Sequence, residues 1–407
     1  MKPKLLFFIT RPPLPAQDGT REMVLNDLKT LAADFTIDIF ITADEKISAE
    51  NADRLRSLAG GELFYFYRPK WRRSLRAFRH IFSGLPLQTA YFHSRQAIRQ
   101  LDRRAKSYDA FYFHTIRTGP YIFRLRKKFP NQLKRCLLNL NDAISLNYQS
   151  AREKASGFWR LIYAWEEKRV KNYELTLLAE PLKAMILTER DKNHLSNNWL
   201  EERQTALPDK IIIRRYSISN VYLHYNYSPK SQNLVFIGNL AYPPNQQGLH
   251  LFCRQIWPLL VEKIPDSELI IIGLGAEGEF SRYPRVHQLG FIEKPYQLMA
   301  EQAAFLNPVH FGGGVSSKSL LAMALGLPVI STPLGLAGLE KIREDHNAIL
   351  IDYDDPRHAA EKIASVLNNP ALLKKISQNE KELVRSLYSQ SVNNQILRDI
   401  FRRLIES

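Results

Sequence analysis

Apolar and polar positions along the first 40 residues form blocks with two different periods. An apolar run of strand length covers residues 4–9, and residues 35–41 alternate between apolar and polar side chains. Between them, after a proline-rich loop, apolar residues recur at helical spacing over 23–32. This order predicts a β-α-β unit and therefore a parallel sheet. Further strands of this half are predicted at 110–113, 135–140 and 184–187.

The second half of the chain restarts the pattern after a polar segment at residues 228–233. A helix is predicted over 248–264, and strands are predicted at 234–237, 268–272 and 286–289. We therefore predict an α/β protein built from two Rossmann-like domains with parallel sheets. The domains are expected at 1–228 and 229–389, with a C-terminal helix at 390–407 as a candidate completion of the first.

Length and composition agree with this architecture. A chain of 407 residues exceeds the size at which one hydrophobic core keeps growing, so two domains are expected. No apolar run approaches the roughly 20 residues of a membrane-spanning helix. The N-terminus enters a strand directly, without the features of a signal peptide, so a cytoplasmic location is expected. Cys136 and Cys253 are interpreted as core thiols, because two cysteines form neither a disulfide framework nor a metal site alone.

The net charge of +16 is concentrated in one part of the chain. Residues 68–135 contain eighteen Lys or Arg and only two acids, Asp102 and Asp109, so the rest of the chain is neutral overall. This concentration predicts one surface that meets an anionic partner. A nucleic acid is one candidate partner, but no motif that reads nucleic acid is recognisable, and we predict none.

The segment 70–82 combines aromatic and basic positions at helical spacing. Its apolar members are Trp71, Leu75, Phe78 and Phe82, and its basic members are Arg72, Arg73, Arg76 and Arg79. An apolar stripe beside a cationic face is typical of a helix that lies in a membrane interface. The alternative is a surface helix whose stripe packs on the core while its arginines are solvated. We predict contact with an anionic membrane surface.

Four segments of the second half occur in the order found in one enzyme family. They are LVFIGNLAYPPN from Leu234, ELIIIGLG from Glu268, HQLGFIEK from His287 and FGGGVSSKSLLAMALGLPVISTPLGLAGL from Phe311. With them the chain resembles retaining glycosyltransferase family 4, which has the GT-B fold of two Rossmann-like domains facing across a cleft. The N-terminal half is similar to a bacterial cell-envelope polysaccharide branch, through RPPLPAQDGTRE around Gly19 and LNLNDAISLNY around Asp142.

The resemblance implies a reaction. A sugar would move from a nucleoside-diphosphate sugar to a lipid-linked or polysaccharide acceptor, with retention of configuration. In such enzymes the leaving diphosphate helps to take the acceptor proton, so neither a protein nucleophile nor a cofactor is required. The protein is then expected at the inner face of the cell membrane as a peripheral protein.

A glycine cluster before a predicted helix at 316–325 is a candidate phosphate site. Glycines let the backbone approach a diphosphate, the helix start offers unpaired N–H groups, and Lys318 adds a positive charge. The alternative is a flexible loop with a surface lysine. With the resemblance, the predicted donor-binding residues are Gly19, Arg21, Gly238, Asn245, Gly273, Gly312, Gly313, Gly314, Val315, Lys318, Gly335 and Leu336.

The family pattern has two glutamates that align with Gly313 and Leu321 here. The second normally accepts hydrogen bonds from the nucleotide ribose, which a leucine side chain does not. Either Glu340 or Glu293 replaces it, or nucleotide binding is weak or absent. A non-catalytic GT-B protein that assists an active transferase is therefore the alternative function.

Polar residues at strand ends of the first half are candidates for catalysis. Asn141 and Asp142 follow a strand where relatives place a polar residue near the reacting sugar carbon, and a carboxylate there orients a hydroxyl or stabilises positive charge. His114 and Arg117 follow another strand and are predicted on the acceptor side. The alternative for each is an ordinary loop or capping residue.

Two familiar motifs are given structural interpretations instead. Gly273, Gly275 and Gly278 spell G-x-G-x-x-G, but Pro284 leaves too little chain for the helix that a dinucleotide site needs, so a turn is predicted. Asp352 and Asp354 spell D-x-D, followed by a predicted helix cap. No other cluster has metal-ligand spacing, and we predict no metal.

Overall fold

The computed structural model describes residues 2–16, 18–81, 83–311 and 314–406. It divides into two compact units, which are Met1–Arg215 with Asn394–Ser407 (unit 1) and Tyr216–Asn393 (unit 2). The predicted boundary lies near residue 228. Residues 216–228 belong to unit 2 because they pack there, with Ile218 N donating to Tyr388 O at 2.8 Å and Tyr227 OH donating to Ala303 O at 2.8 Å.

Unit 1 is built on a seven-stranded parallel sheet in the order β3-β2-β1-β4-β5-β6-β7. The strands are β1 (Lys4–Ile9), β2 (Thr36–Ala43), β3 (Gly60–Tyr67), β4 (Ala110–His114), β5 (Cys136–Asn141), β6 (Lys183–Ile186) and β7 (Ile211–Ile213). The helices are α1 (Gly19–Ala32), α2 (Ala49–Ala59), α3 (Lys70–Arg79), α4 (Leu87–Phe92), α5 (Arg95–Arg104), α6 (Gly119–Lys128), α7 (Ile144–Lys154), α8 (Gly157–Ala179) and α9 (Glu189–Arg203). The predicted β-α-β start is confirmed as β1, α1 and β2.

Unit 2 has a six-stranded parallel sheet in the order β10-β9-β8-β11-β12-β13. The strands are β8 (Leu234–Ile237), β9 (Leu269–Ile272), β10 (Val286–Gly290), β11 (Ala304–Asn307), β12 (Val329–Ser331) and β13 (Ile349–Leu350). The helices are α10 (Pro243–Gln255), α11 (Trp257–Lys263), α12 (Tyr296–Ala300), α13 (Ser317–Leu325), α14 (Pro356–Leu367) and α15 (Pro370–Leu383). The last helix, α16 (Gln390–Glu406), ends in unit 1, where Leu397, Phe401 and Leu404 join the core.

The two parallel sheets confirm the predicted fold class. The predicted helix at 248–264 was wrong in one detail, because it is broken at Ile256 into α10 and α11, with Pro258 in the first turn of α11. Cys136 and Cys253 are buried free thiols, as predicted.

Each sheet reverses its strand order once, between β1 and β4 in unit 1 and between β8 and β11 in unit 2. At such a reversal the loops leaving the two carboxyl ends diverge, and a crevice opens between them. The fold therefore marks one ligand-binding edge in each unit.

Candidate functional site

A pocket of about 360 Å³ lies in unit 2 at the sheet edge marked by the reversal. The loops that follow β8 and β11 and the start of α13 form its wall. The lining side chains and backbone belong to Gly238, Asn239, Tyr242, Pro244, Asn245, Asn307, Val309, Phe311, Gly314, Val315, Ser316, Ser317, Lys318, Leu334 and Gly335. Six predicted donor-binding residues are thus brought together in one pocket of unit 2, although no carboxylate is among its described lining residues.

The start of α13 supplies hydrogen-bond donors to this pocket. Ser316 caps the helix, and its side chain accepts a hydrogen bond from Ser319 N at 3.3 Å. The amides of Ser317 and Lys318 belong to the first turn and have no acceptor within the helix. They lie at the positive end of the helix dipole, which favours a phosphate group.

Lys318 places a cation in the same pocket. Its Nζ donates to Asn245 Oδ1 and lies 4.7 Å from the centre of the Phe236 ring. Among the residues that the structure describes, no carboxylate lies within the 4.0 Å of an ion pair. Burial without a counter-ion lowers the pKa of Lys318 to about 7. The pocket therefore contains a buried amine that has no counter-ion among the described residues.

Three predicted glycines stand at positions where a Cβ would come close to neighbouring atoms. A Cβ at Gly273, where φ is +149°, would lie 1.8 Å from Gly238 O. A Cβ at Gly335 would lie 2.3 Å from Ser331 Oγ, and one at Gly238 would lie 3.0 Å from Asn245 Nδ2. These close approaches hold the turns that form the pocket, whether or not they also touch a ligand.

Asn307 is a pocket residue that sequence reasoning missed. Its Nδ2 donates to Ser319 Oγ at 3.0 Å and to Gly335 O at 2.9 Å, which ties α13 to the turn after β12. Its Oδ1 is buried and has no hydrogen-bond partner among the described residues. The sequence does contain a signal for this residue, because Asn307 is a polar residue that ends an apolar strand just before the glycine cluster.

The remaining predicted donor residues of unit 2 have other surroundings. Gly312 and Gly313 lie outside the described residues. Leu336 is buried in the hydrophobic core. Leu321 is half-buried on α13, one turn after Ser317, and so lies on the same side of the helix. Glu293 is exposed, and the amide of Glu340 donates to the hydroxyl of Tyr388.

In unit 1 the structure brings the predicted catalytic residues to the ends of β4 and β5. Asn141 ends β5 with φ +64°, a conformation that asparagine tolerates. Its Nδ2 lies 3.1 Å from His114 Nε2 at the end of β4. Its Oδ1 is buried and has no partner among the described residues, so an acceptor for a ligand hydroxyl is available.

The titratable members of this cluster are shielded from water. Burial lowers the pKa of His114 to about 3, so the imidazole is neutral at physiological pH. Burial raises the pKa of Asp142, while hydrogen bonding from Asn147 Nδ2 at 2.7 Å and the charge of Arg117 oppose the rise. Arg117 Nε donates to the Gln88 side chain at 3.0 Å. Asp142 and Arg117 are therefore close enough to influence each other.

Glu174 supports the loop that carries Asp142, and nothing in the sequence pattern of α8 indicated it. The side chain is fully buried and accepts from Ile144 N at 2.7 Å and Ser145 Oγ at 2.6 Å. These groups start α7, directly after Asp142. Burial raises the pKa of Glu174 to about 8.

Gly19 and Arg21 lie at the start of α1 in unit 1. Gly19 is the first residue of the helix, after the cap Asp18. Arg21 Nη2 contacts Glu45 Oε2 at 2.9 Å, and its Nε lies 3.3 Å from Asp18 Oδ2. The charge of Arg21 is therefore already neutralised, and its role in donor binding stays a prediction.

The helix predicted at the membrane is α3, and its aromatic stripe is exposed. Trp71 is 63% exposed, Phe78 is 69% exposed, and Leu75 is exposed as well. The alternative of a stripe packed on the core is therefore wrong. Phe82 lies outside the described residues.

The prediction was wrong for Arg73, which does not lie on the exposed cationic face of α3. It is only 2% exposed and donates to four backbone carbonyls, those of Ala43, Phe66, Arg68 and Tyr91. A side chain held inside unit 1 does not meet lipid phosphates. The helical spacing alone did not distinguish it from its neighbours, because its burial depends on strands β2 and β3.

A second exposed aromatic segment lies at the start of α8. Phe158 is 72% exposed, and Trp159, Leu161 and Trp165 are exposed too. The sequence FWRLIYAW from Phe158 carries the signal of this segment, which the sequence-based predictions did not include. In the described part of the chain no helix is both long and apolar enough to cross a membrane.

Both motifs with a structural interpretation are confirmed. Between β9 and β10, where all described residues from Gly273 to Arg285 are loop and turn, G-x-G-x-x-G opens no helix. Asp355 caps α14 by accepting from His358 N at 3.0 Å, and Asp352 accepts from Asp354 N at 3.0 Å.

Comparison with known proteins adds the family context. Residues 231–369 match the model of the family described as glycosyl transferases group 1. A protein of 44.6 kDa from the cps region of Klebsiella pneumoniae, itself uncharacterised, is 24% identical over 410 residues, covering 97% of this chain and 99% of that protein. The capsular polysaccharide biosynthesis glycosyltransferase CapM of Staphylococcus aureus is 22% identical over 232 residues, covering 54% of this chain and 58% of CapM.

A solved structure extends the likeness to the whole fold. HepE of Anabaena, in complex with UDP-glucose, has a TM-score of 0.60 at 14% identity, covering 98% of this chain and 99% of HepE. The chain has the GT-B fold. Together the comparisons support a glycosyltransferase of the capsular or cell-envelope polysaccharide type.

Proposed function

We propose that this protein transfers a sugar from a nucleoside-diphosphate sugar to a lipid-linked or polysaccharide acceptor, with retention of configuration and without a metal ion. The observation that carries the proposal is the unpaired cation of Lys318 at the start of α13. A helix start and a desolvated ammonium without a counter-ion favour a diphosphate. HepE, which has the same fold, binds UDP-glucose.

The donor half of the reaction belongs to unit 2. The diphosphate accepts hydrogen bonds from the amides of Ser317 and Lys318, and the ammonium of Lys318 stabilises the negative charge that grows as the sugar leaves. The described residues include no group of three His, Cys, Asp or Glu side chains placed to hold a metal ion. In this proposal Lys318 and the helix start take the role that a divalent ion has in other transferases.

The acceptor half belongs to the cluster in unit 1. Asp142 orients the acceptor hydroxyl or stabilises positive charge on the sugar, and the free Oδ1 of Asn141 accepts from a hydroxyl. His114 acts as a neutral hydrogen-bonding group, because its pKa of about 3 leaves it uncharged. Arg117 supplies the positive charge of this side.

We place the protein at the cytoplasmic face of the membrane as a peripheral protein. The exposed aromatic side chains of α3 and α8 and the arginines around Trp71 support this location. Aromatic rings at an interface contribute apolar burial, and each basic residue near an anionic surface contributes about 1 kcal/mol. A lipid-linked acceptor would be reached from such a surface.

One observation favours a second function. Leu321 occupies the position from which relatives are expected to bind the ribose, and no carboxylate lines the pocket in the described residues. A protein that has the GT-B fold but does not bind a nucleotide-sugar donor would act as a partner of an active transferase.

The deciding experiment is a thermal-stability screen with nucleoside diphosphates, followed by a transfer assay in excess EDTA. A ligand that binds only the folded state raises the melting temperature, by an amount set by its concentration and affinity. We expect one nucleotide to stabilise the protein, transfer to persist in EDTA, and the product anomer to match the donor in NMR spectra. Absence of stabilisation by every nucleotide would favour the partner function. Activity lost in EDTA and restored by Mn²⁺ or Mg²⁺ would refute metal independence.

A further inference from the structure

Unit 1 contains a second cavity, of about 540 Å³, beside α3 and the start of α5. Its lining is unusual in having five arginines, which are Arg68, Arg72, Arg76, Arg79 and Arg95. Trp71 and Leu75 provide apolar wall, and His80 and His93 complete it. No acid is among the described residues that line it.

The arginines of this cavity are not neutralised. In the described ranges, none of the five has a carboxylate within 4.0 Å. Arg76 instead donates from Nη1 to His93 O at 2.7 Å and contacts His93 Nδ1 at 2.8 Å. Other arginines of the same basic segment do have acids, such as Arg124 with Asp102 at 2.5 Å.

The electrostatics of the neighbouring groups agree with an accumulated positive charge. Burial, followed by Arg68 and Arg95, lowers the pKa of Arg76. Burial is also the main cause that lowers the pKa of His93 to about 4, and the charges of Arg76, Arg95 and Arg68 add to it. His93 is therefore neutral and accepts from Arg76, while the guanidinium groups of Arg72, Arg79 and Arg95 are exposed.

Exposed aromatic side chains lie on α3 and on α8, which contacts the cavity residue His80. The Arg72 guanidinium lies 4.9 Å from the Trp71 ring, and Phe78 is on the same helix. The end of α3 is joined to α8 by a hydrogen bond of 3.0 Å from Arg169 Nη2 to His80 O. Trp165 lies one helical turn before Arg169 on α8, and the exposed Trp159 lies further toward the start of that helix.

We propose that this arginine cavity is a binding site for a phosphate group. Guanidinium groups bind phosphate oxygens through paired N–H donors, and several without counter-ions in one concave site favour a group with more than one negative charge or several oxygens. The phosphate belongs either to an anionic lipid headgroup or to a soluble phosphate ligand. The site rests on the membrane association proposed above only for the first source, and it requires no transferase activity.

The test compares two triple variants of the full-length protein. In the site variant, Arg72, Arg79 and Arg95 are changed to Gln, which removes three exposed charges and leaves the Arg76 contacts intact. In the matched control, Arg99, Arg103 and Lys106 are changed to Gln, which removes the same charge from exposed positions of the same basic segment outside the cavity. Both carry Lys318→Met, so that the donor pocket of unit 2 does not bind the probe.

The first probe is inorganic pyrophosphate, measured by calorimetry and by Trp fluorescence, with Trp71→Phe to identify the reporting ring. We expect the control to bind pyrophosphate and the site variant to bind at least about tenfold more weakly. Equal affinity in the two variants, or no binding by either, would overturn the proposal even if the parent protein is an active transferase.

The second probe is a vesicle of phosphatidylglycerol and phosphatidylcholine, with pure phosphatidylcholine as reference. If a lipid headgroup is the source, the control variant sediments with anionic vesicles, pyrophosphate releases part of it, and the site variant sediments less. If pyrophosphate binds the control but does not compete with vesicles, the site is supported and its ligand is a soluble phosphate.

Discussion

The ammonium of Lys318 lies 4.7 Å from the centre of the Phe236 ring and donates its hydrogen bond to Asn245. A buried cation with one neutral hydrogen-bond partner and an aromatic face is stable only at a cost, which a bound anion would remove. Lys318 should therefore oppose folding while it favours binding, as residues of functional sites commonly do.

Lys318→Met tests whether Lys318 lowers the stability of the fold while it favours nucleotide binding. The variant should lose nucleotide binding, and it should gain about 0.5 to 2 kcal/mol of stability because a desolvated charge is replaced by an apolar chain of similar length. The folded-state pKa lies below the ordinary 10.5, so the gain should be largest below pH 7 and decline as pH rises toward 10.5. Melting curves across pH measure it, with the exposed Lys294→Met as control. Unchanged nucleotide affinity would contradict the phosphate assignment.

Nucleotide binding should weaken as pH rises above 7. With a pKa of about 7, Lys318 is cationic below that pH, and above it binding must take up a proton. The affinity for the nucleotide identified in the screen should fall by up to about tenfold per pH unit between pH 7 and 9. Calorimetry in buffers of different ionisation enthalpy measures the number of protons that are taken up when the nucleotide binds. Lys318→Arg should give a flatter profile, and a flat profile of the parent would show that Lys318 is not the titrating group.

Leu321→Glu should strengthen nucleotide binding if the rest of the pocket holds the ribose as in relatives. The side chain lies one turn beyond Ser317 and on the same side of α13, and a carboxylate there can accept from ribose hydroxyls. Hydrogen bonds to a charged group contribute about 1.5 to 3 kcal/mol, which corresponds to at least about a tenfold gain. Calorimetry measures the nucleotide affinity of this variant, and Leu321→Met is the control. A neutral result would mean that the ribose is held elsewhere.

Arg72 and Arg73 should respond in opposite ways to the same substitution. Arg73→Met removes the donor for four backbone carbonyls and should destabilise unit 1 by at least about 3 kcal/mol. Arg72→Met removes an exposed charge and should change stability by less than about 0.5 kcal/mol. Urea denaturation followed by circular dichroism measures both. Similar stability of the two variants would disprove the structural role of Arg73.

Asp142→Asn should lower kcat by at least about 100-fold, because it removes the charge proposed to orient the acceptor while it keeps the shape of the side chain. Nucleotide affinity should stay within about twofold, since the donor pocket belongs to unit 2. Steady-state kinetics and calorimetry separate the two effects, and the exposed Asp209→Asn is the control. Full activity of the Asp142 variant would move the catalytic role to another residue.

Much of the fold follows from local pattern. The strands β1 and β8 were predicted with their observed bounds, because each is an apolar run ended by loop residues. The start of α13 was predicted within one residue, because small residues precede a run of helix formers. The shortest strands, such as β12, carry too few residues for a period to appear.

The chemistry of the site depends on tertiary structure. Phe236 and Asn245 are more than 70 residues from Lys318 in the chain, and their packing removes water from its ammonium and lowers its pKa. Arg72 and Arg73 are the same residue type at adjacent positions, yet one is exposed and the other is enclosed by β2, β3 and α4. The residue types at strand ends and helix starts follow from the order of amino acids alone. Which of their charges lose water and partners follows from packing, because desolvation depends on neighbours that are distant along the chain.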